Sequence, residues 1–361
     1  MSHSIAVIIP VYNAEKFIEH AVVSVLNAEG VATQLVLVND GSKDNSGAIC
    51  DSLAQKYPNI HVIHQENGGV SKARNTGIDY VLKSGNFSDD DYIAFLDSDD
   101  FWNTKANLRI VNDSDANLIA FSSAICNTKA TRYHIIHRFN NTILLGEDIH
   151  RQWINNGTFA AFFYQIGFLK KYNLQFIAGV KRNEDMIFWR QATFSAKKIH
   201  FSADILYVYR MNPSSVTHSS SNIHYASLDI PKAWEKAIDW IHTIPDATDE
   251  QIARWTKICH RTIGATILET ARILAENGAT VDELNKLIIE NPLSKHIRDN
   301  DVHDLAVWQQ NDYLLIQKDI NEFVNYHQHR TKKTKLLLKI SKIPILQTIR
   351  NRFKFNLTEL P

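Results

Sequence analysis

The sequence predicts an α/β fold, a mostly parallel sheet flanked by helices with a C-terminal helical appendage, and three observations carry that expectation. Short β-branched runs end at turn residues; stretches of 3.6-residue apolar periodicity separate them; and beyond about Ser227 only helical patterns continue. Strand and helix in alternation imply parallel pairing, because each helical crossover returns the chain to the same side of the sheet.

Taken in order, "IAVIIPVY" (Ile5 to Tyr12), "QLVLVND" (Gln34 to Asp40), "IHVIHQE" (Ile60 to Glu66) and "YIAFLD" (Tyr92 to Asp97) read as buried strands. "AEKFIEHAVVSVLNA", "DNSGAICDSLAQKYP" and "VSKARNTGIDYVLKSG" read as the helices between them. In open sheets of this kind ligands bind beyond the carboxyl ends of the strands. Three polar turns fall at such ends: Asn39-Asp40-Gly41-Ser42, Glu66-Asn67-Gly68-Gly69 and Asp97-Ser98-Asp99.

Their chemistry suits a nucleotide diphosphate. A carboxylate at Asp40 can accept the N3 proton of uracil or thymine, which cytosine lacks, with Gly41 allowing close approach. Asp97 and Asp99 offer hard oxygens to Mg²⁺ or Mn²⁺. Lys72 and Arg74 add cations for phosphate or sugar hydroxyls. A lone D-x-D is ordinarily a solvated turn or helix cap, and "NDGS" an ordinary turn; their conjunction at successive strand ends is what points to a site.

Composition narrows the setting. The chain has 361 residues, with 39 Lys and Arg against 39 Asp and Glu. Nine of those cations lie between Arg330 and Lys354, where there is no acid, so the remainder carries nine more acids than bases. Three scattered cysteines fit neither a disulfide framework nor a zinc site. The N-terminus lacks a basic n-region with an apolar core, and no apolar run approaches a membrane span, so the expected location is cytoplasmic.

The run "IIPVYNAEKFIEHAVVSVLNAE…LVLVNDGSKDNSGAICD…ENGGVSKARNTGI…YIAFLDSDDFW" resembles the nucleotide-binding half of family 2 glycosyltransferases, which have the GT-A fold, and covers roughly Ile5 to Trp102. The resemblance implies an inverting transferase using a nucleotide-activated sugar, UDP being favoured over dTDP by resemblance alone. It implies Asp40 on the base, Asp97 and Ser98 near ribose and diphosphate, Asp99 on Mn²⁺ or Mg²⁺, and Pro10, Tyr12, Lys72 and Arg74 as further donor-binding residues. In "VKRNEDMIFWRQATFSA" Asn183 is expected to cap a helix opened by Glu184 and Asp185. An acidic pair there supplies the catalytic base in transferases of this type, usually the second member, hence Asp185. In "ILYVYRMNPSSVTHSSS" Arg210 and His218 are expected near the diphosphate or metal when the following loop closes.

These readings divide the chain into a transferase domain at 1–226 (nucleotide half 1–102, acceptor half 103–226), a helical appendage at 227–329 and a basic amphipathic tail at 330–361. In the tail Leu336, Ile340 and Ile343, then Leu346, Ile349 and Phe353, lie at helical spacing beside Lys and Arg. The expected partners are a nucleotide-sugar donor, a glycan or lipid-linked acceptor and, through the tail, an anionic membrane surface at the inner face of the cell membrane; nucleic acid is not expected. The alternatives are a nucleotidyltransferase, which the missing Gly-rich basic loop at "PVYNAEKF" disfavours, and a non-catalytic sugar-nucleotide module, which Asp97, Asp99 and Asp185 together disfavour.

Overall fold

A computed structural model of the chain describes residues 3–146, 148–149, 159–180, 183–211, 228–245, 247–288, 290–296 and 305–341. The chain divides into two compact units, one of residues 1–220 with 236–255 and one of residues 221–235 with 256–361.

The first unit is built on β1 (Ser4–Val11), whose residues from Ile5 to Val11 are all buried. Parallel neighbours flank it: β2 (Ala32–Asp40) pairs from Ser4↔Ala32 to Val11↔Asn39, and β4 (Tyr92–Phe95) pairs from Ile5↔Tyr92 to Ile8↔Phe95. Because β1, β2 and β4 run the same way, the segments leaving them emerge at one edge. β3 (Ile60–Gln65) lies outermost beside β2, and there the expectation of a buried strand needs correcting, since His61 and His64 face solvent. An edge strand has one paired side, so half-exposure is its natural state.

The crossover helices are α1 (Ile18–Leu26), α2 (Ser46–Lys56) and α3 (Val70–Lys83). Beyond β4 the sheet becomes mixed. β9 (Phe162–Gln165) runs antiparallel both to β4 and to β6 (Leu118–Cys126). β10 (Lys198–Arg210) then runs parallel to β6. β5 (Phe101–Trp102), leaving the acidic loop directly, pairs antiparallel with β10 through Tyr207↔Trp102 and Val208↔Phe101. β7 (Tyr133–His137) adds to β6, and β8 (Thr142–Leu145) to β10. α4 (Ile166–Lys171) follows β9, and α5 (Glu184–Ser195) precedes β10. Under this part lies an aromatic core in which Phe176 stacks on Phe188 at 4.2 Å and meets Phe95 edge-on at 5.2 Å. Trp102 and Trp189 are core residues, each 1% exposed.

α6 (Asp229–Ile238) is followed in sequence by the long α7 (Asp249–Glu276). In the second unit the greater part of α7, α8 (Val281–Ile288), α9 (Val307–Lys318) and α10 (Ile320–Ser341) pack around Leu268, Leu284, Ile316 and Phe323. Gly278, at φ +95°, closes α7, and the Ala279 amide reaches back to the Leu274 carbonyl at 3.0 Å. α10 passes through Arg330 without a break and stays helical to Ser341. Ile343, Leu346, Ile349 and Phe353 lie outside the described residues.

Candidate active site

Asp40 ends β2 and is 3% exposed. The Gly68 and Gly69 amides donate to its Oδ1 and Oδ2, each at 2.8 Å, and Gln65 Nε2 donates to Oδ1 at 2.7 Å. The carboxylate therefore shapes the Glu66-to-Gly69 turn. Of its roughly four acceptor positions three are used, which leaves one on Oδ2. Gly41 is required by its surroundings: φ is +69°, and a Cβ would lie 2.8 Å from the Asn67 amide nitrogen. Across the edge, the Ala14 amide donates to Ser46 Oγ at 2.7 Å and the Asn13 amide to Ser42 Oγ at 3.1 Å, tying the β1 and β2 exits together. Pro10 is buried at the end of β1, Tyr12 is exposed just beyond it, and Lys72 is exposed on the first turn of α3 with its stem against Gly68.

The acidic loop divides its carboxylates. Asp97, Ser98 and Asp99 are partly exposed, whereas Asp100 is 1% exposed. Asp100 accepts from the Arg210 amide at 2.7 Å and from the Tyr207 hydroxyl. Burial first, then the charges of Asp97 and Asp99, push its pKa well above the usual carboxylate range. It anchors the loop to β10. Arg210, 7% exposed, gives Nε to the Asp99 carbonyl at 2.9 Å, Nη1 to the Thr128 carbonyl at 3.0 Å and Nη2 to His20 Nδ1 at 3.0 Å. Its guanidinium holds the backbone that presents Asp99. His20 thereby carries its hydrogen on Nε2, and burial, then Arg210, hold its pKa below the usual value. His218 lies outside the described residues.

Arg74 joins this loop to the acidic pair. It is 3% exposed, Nη2 meets Asp97 Oδ1 at 2.8 Å and Nη1 meets Glu184 Oε1 at 3.1 Å. Phe159 lies under the guanidinium at 4.5 Å and Phe176 at 5.1 Å. Asp185 follows Glu184 at the start of α5, and its Oδ1 accepts the Met186 amide at 2.7 Å. Burial raises the pKa of both acids; Asp185 adds to the rise at Glu184, while Arg74 opposes it at both. The helix begins as expected, but Asn183 sits at φ +65° and makes no side-chain cap bond, so the acidic pair itself faces the positive end of the helix.

The structure thus brings Asp97, Asp99, Arg74, Glu184, Asp185 and Arg210 together, with Asp40 at the neighbouring turn. Sequence reasoning missed the separate duty of Asp100 and the partners of Arg210, Tyr207 and His20. One signal for Arg74 was available: it shares the buried face of α3 with Ile78 and Val81, at i+4 and i+7, where an unpaired charge is not tolerated.

The sheet, with its parallel half, its mixed half and its flanking helices, has the GT-A fold. The solved structure of S. aureus TarS 1–349 in complex with UDP superposes with a TM-score of 0.65 at 18% identity, covering 92% of each chain. Residues 6–176 match the family model described as glycosyl transferase family 2, so this segment has the character of a family 2 glycosyltransferase domain. It is 28% identical over 222 residues to the uncharacterized glycosyltransferase EpsJ of Bacillus subtilis, covering 59% of this chain and 62% of that protein. It is 26% identical over 297 residues to the uncharacterized glycosyltransferase YibD of Escherichia coli, covering 76% and 84%. The minor teichoic acid biosynthesis protein GgaA of B. subtilis is 33% identical over 217 residues, 57% of this chain and 46% of GgaA. The chain therefore spans less than two thirds of EpsJ and of GgaA.

Proposed function

We propose that this glycosyltransferase moves a sugar, with inversion, from a uridine-diphosphate donor to a hydroxyl of a glycan or lipid-linked acceptor in cell-surface polysaccharide synthesis. The observation that carries the reading is the Arg74 bridge, which couples the D-x-D loop through Asp97 to the helix start bearing Asp185. Donor and base chemistry have to meet at one anomeric carbon, and this bridge ties their two supports. TarS with UDP and with UDP-GlcNAc supports a uridine nucleotide, and the likeness to GgaA supports a polysaccharide acceptor.

Asp185 accepts the acceptor hydroxyl's proton as its oxygen attacks, and the raised pKa brings the carboxylate closer to working pH than an exposed Asp. One displacement opposite the departing diphosphate inverts the anomeric centre. Asp40 orients the base, and Tyr12 and Lys72 border the donor. The donor set fits Mg²⁺ or Mn²⁺: the loop offers hard carboxylate oxygens, Arg74 occupies one oxygen of Asp97, and Asp100 is turned inward. Among the described residues no three His, Cys, Asp or Glu gather into a group that could hold a metal ion by themselves, so Asp99 would be the protein residue that holds it. Held there, such an ion would supply positive charge to neutralise the leaving diphosphate. The basic tail would hold the enzyme peripherally at the inner membrane face; among the described residues no helix is long and apolar enough to cross a membrane.

The test is UDP release from a panel of UDP-sugars with Mn²⁺, with and without glycan and lipid-linked acceptors. Asp185→Asn should lower turnover by about 10²–10⁴ while UDP binding survives. Wild-type turnover in that variant would remove Asp185 from the chemistry, and pyrophosphate in place of UDP would indicate a nucleotidyltransferase.

A further inference from the structure

Apart from the Thr128 carbonyl that receives Arg210, the ribbon formed by the end of β6, its turn and β7 has no role in the site described. From 116 to 146 the sequence holds no Asp or Glu, while Lys129, Arg132 and Arg138 fall there. All three are exposed, and none has a carboxylate partner among the described residues. On β7, Tyr133 and Ile135 point to one face and His134 and Ile136 to the other, since strand side chains alternate. Tyr133 is 53%, Ile135 43% and Ile136 42% exposed, and β8 adds Ile143 at 46% and Leu145 at 57%.

The tip is built, not loose. Asn127 Oδ1 accepts the Thr131 amide at 2.7 Å and the Arg132 amide at 3.1 Å, and the Tyr133 hydroxyl donates to the Ala130 carbonyl at 2.7 Å. A rigid ribbon, apolar on both faces and carrying Lys and Arg but no acid between residues 116 and 146, is costly in water and unsuited to a basic protein surface. Edge-strand cations alone serve to keep an edge from pairing, but they leave the two apolar faces unexplained. Both features match a bilayer interface rich in anionic lipid, where Tyr rings and Ile chains enter the headgroup zone and Lys and Arg meet phosphate.

We propose that residues 127–145 form a contact surface for an anionic lipid bilayer, separate from the basic tail. The charge complementarity names the partner. The position gives it a purpose: Arg210 donates both to Thr128 at the root of the ribbon and to Asp99 of the acidic loop. A cleft of about 490 Å³, lined by Tyr133 and Ile135 on one side and Phe101 and Trp102 on the other, runs from the ribbon to the strand that leaves this loop. Contact there would bring the membrane surface beside the reacting groups, where a lipid-linked acceptor enters. That purpose rests on the transferase reading; the contact itself does not.

The experiment uses the full chain. Cys50, Cys126 and Cys259 are buried free thiols, so Ile136→Cys can be labelled selectively with the polarity-sensitive dye NBD. With phosphatidylglycerol/phosphatidylcholine vesicles the emission should brighten and shift to the blue, and with phosphatidylcholine alone it should not. Lys129→Glu/Arg132→Glu/Arg138→Glu should lower the partition coefficient by about tenfold or more, with UDP release from soluble substrates unchanged. Sedimentation with anionic vesicles but no dye response assigns binding to the tail and overturns the proposal. A dye response without vesicles, together with a doubled mass by light scattering, makes the partner a second copy and overturns it equally. If Asp185→Asn leaves turnover intact while the dye responds to vesicles, the catalytic assignment fails and the membrane contact stands.

Discussion

Replacing Arg74 by Met keeps the length of the side chain and removes its charge. Arg74 is 3% exposed and pairs with Asp97 at 2.8 Å and Glu184 at 3.1 Å. Breaking a buried pair by removing one partner costs about 3–5 kcal/mol, mainly because a charge is left uncompensated. The side chain of Asp97 is 34% exposed, so water recovers part of that loss, whereas that of Glu184 is only 11% exposed. A destabilisation near 3 kcal/mol is expected, roughly a hundredfold in the folding equilibrium. Urea denaturation followed by far-UV circular dichroism measures it. The sign of the pH dependence follows from Arg74 opposing the rise in pKa at Glu184 and Asp185. Without Arg74 both groups ionise at higher pH in the folded state, so the folded protein binds more protons than the unfolded chain above the usual carboxylate range. Stability then falls as pH rises through that window, and the deficit of Arg74→Met is larger at pH 8 than at pH 5. Adding Glu184→Gln should recover part of the loss, since one orphaned charge goes with it. A pH-independent deficit, or strictly additive losses in the double variant, would refute the coupling. The acid limb of the rate profile should move to higher pH in Arg74→Met and be largely restored in Arg74→Lys, which keeps the charge.

Asp99→Asn should lose transfer that depends on Mn²⁺ or Mg²⁺ while keeping the wild-type melting temperature; full activity of this variant, or of the wild type in EDTA, would dismiss the metal-ligand assignment. Asp100 binds a proton more readily folded than unfolded, so it makes stability fall as pH rises above the usual carboxylate range. Asp100→Asn should therefore flatten that slope in urea midpoints taken between pH 5 and 8, with little loss at pH 5; an unchanged slope would show that Asp100 is not the group responsible.

Most of the parallel half of the sheet was legible because its signals are local. Asp40, Gly41, Asp97 and Asp99 sit at turns that directly follow apolar runs, and parallel neighbours must present those turns at one edge. The direction of β9 was not legible: a four-residue aromatic run looks the same whichever way it pairs. Nor was the division of labour among the acids. Asp97, Asp99 and Asp100 are alike as letters, yet the last is an internal anchor because β5 folds back onto β10 and drives it under Tyr207.

Sequence alone determined the order of strands and helices around the carboxyl edge of the parallel strands, the residues at that edge, the acidic pair opening a helix and the basic, acid-free run toward the C-terminus. These depend on periodicity and turn chemistry within a few residues. Only the tertiary structure decided what Arg74 and Arg210 do, since their partners lie 23 to 190 positions away in the chain. A buried guanidinium goes to whichever carboxylates and carbonyls the fold places within about 3 Å, and that distance is set by packing across the sheet, which no stretch of letters records.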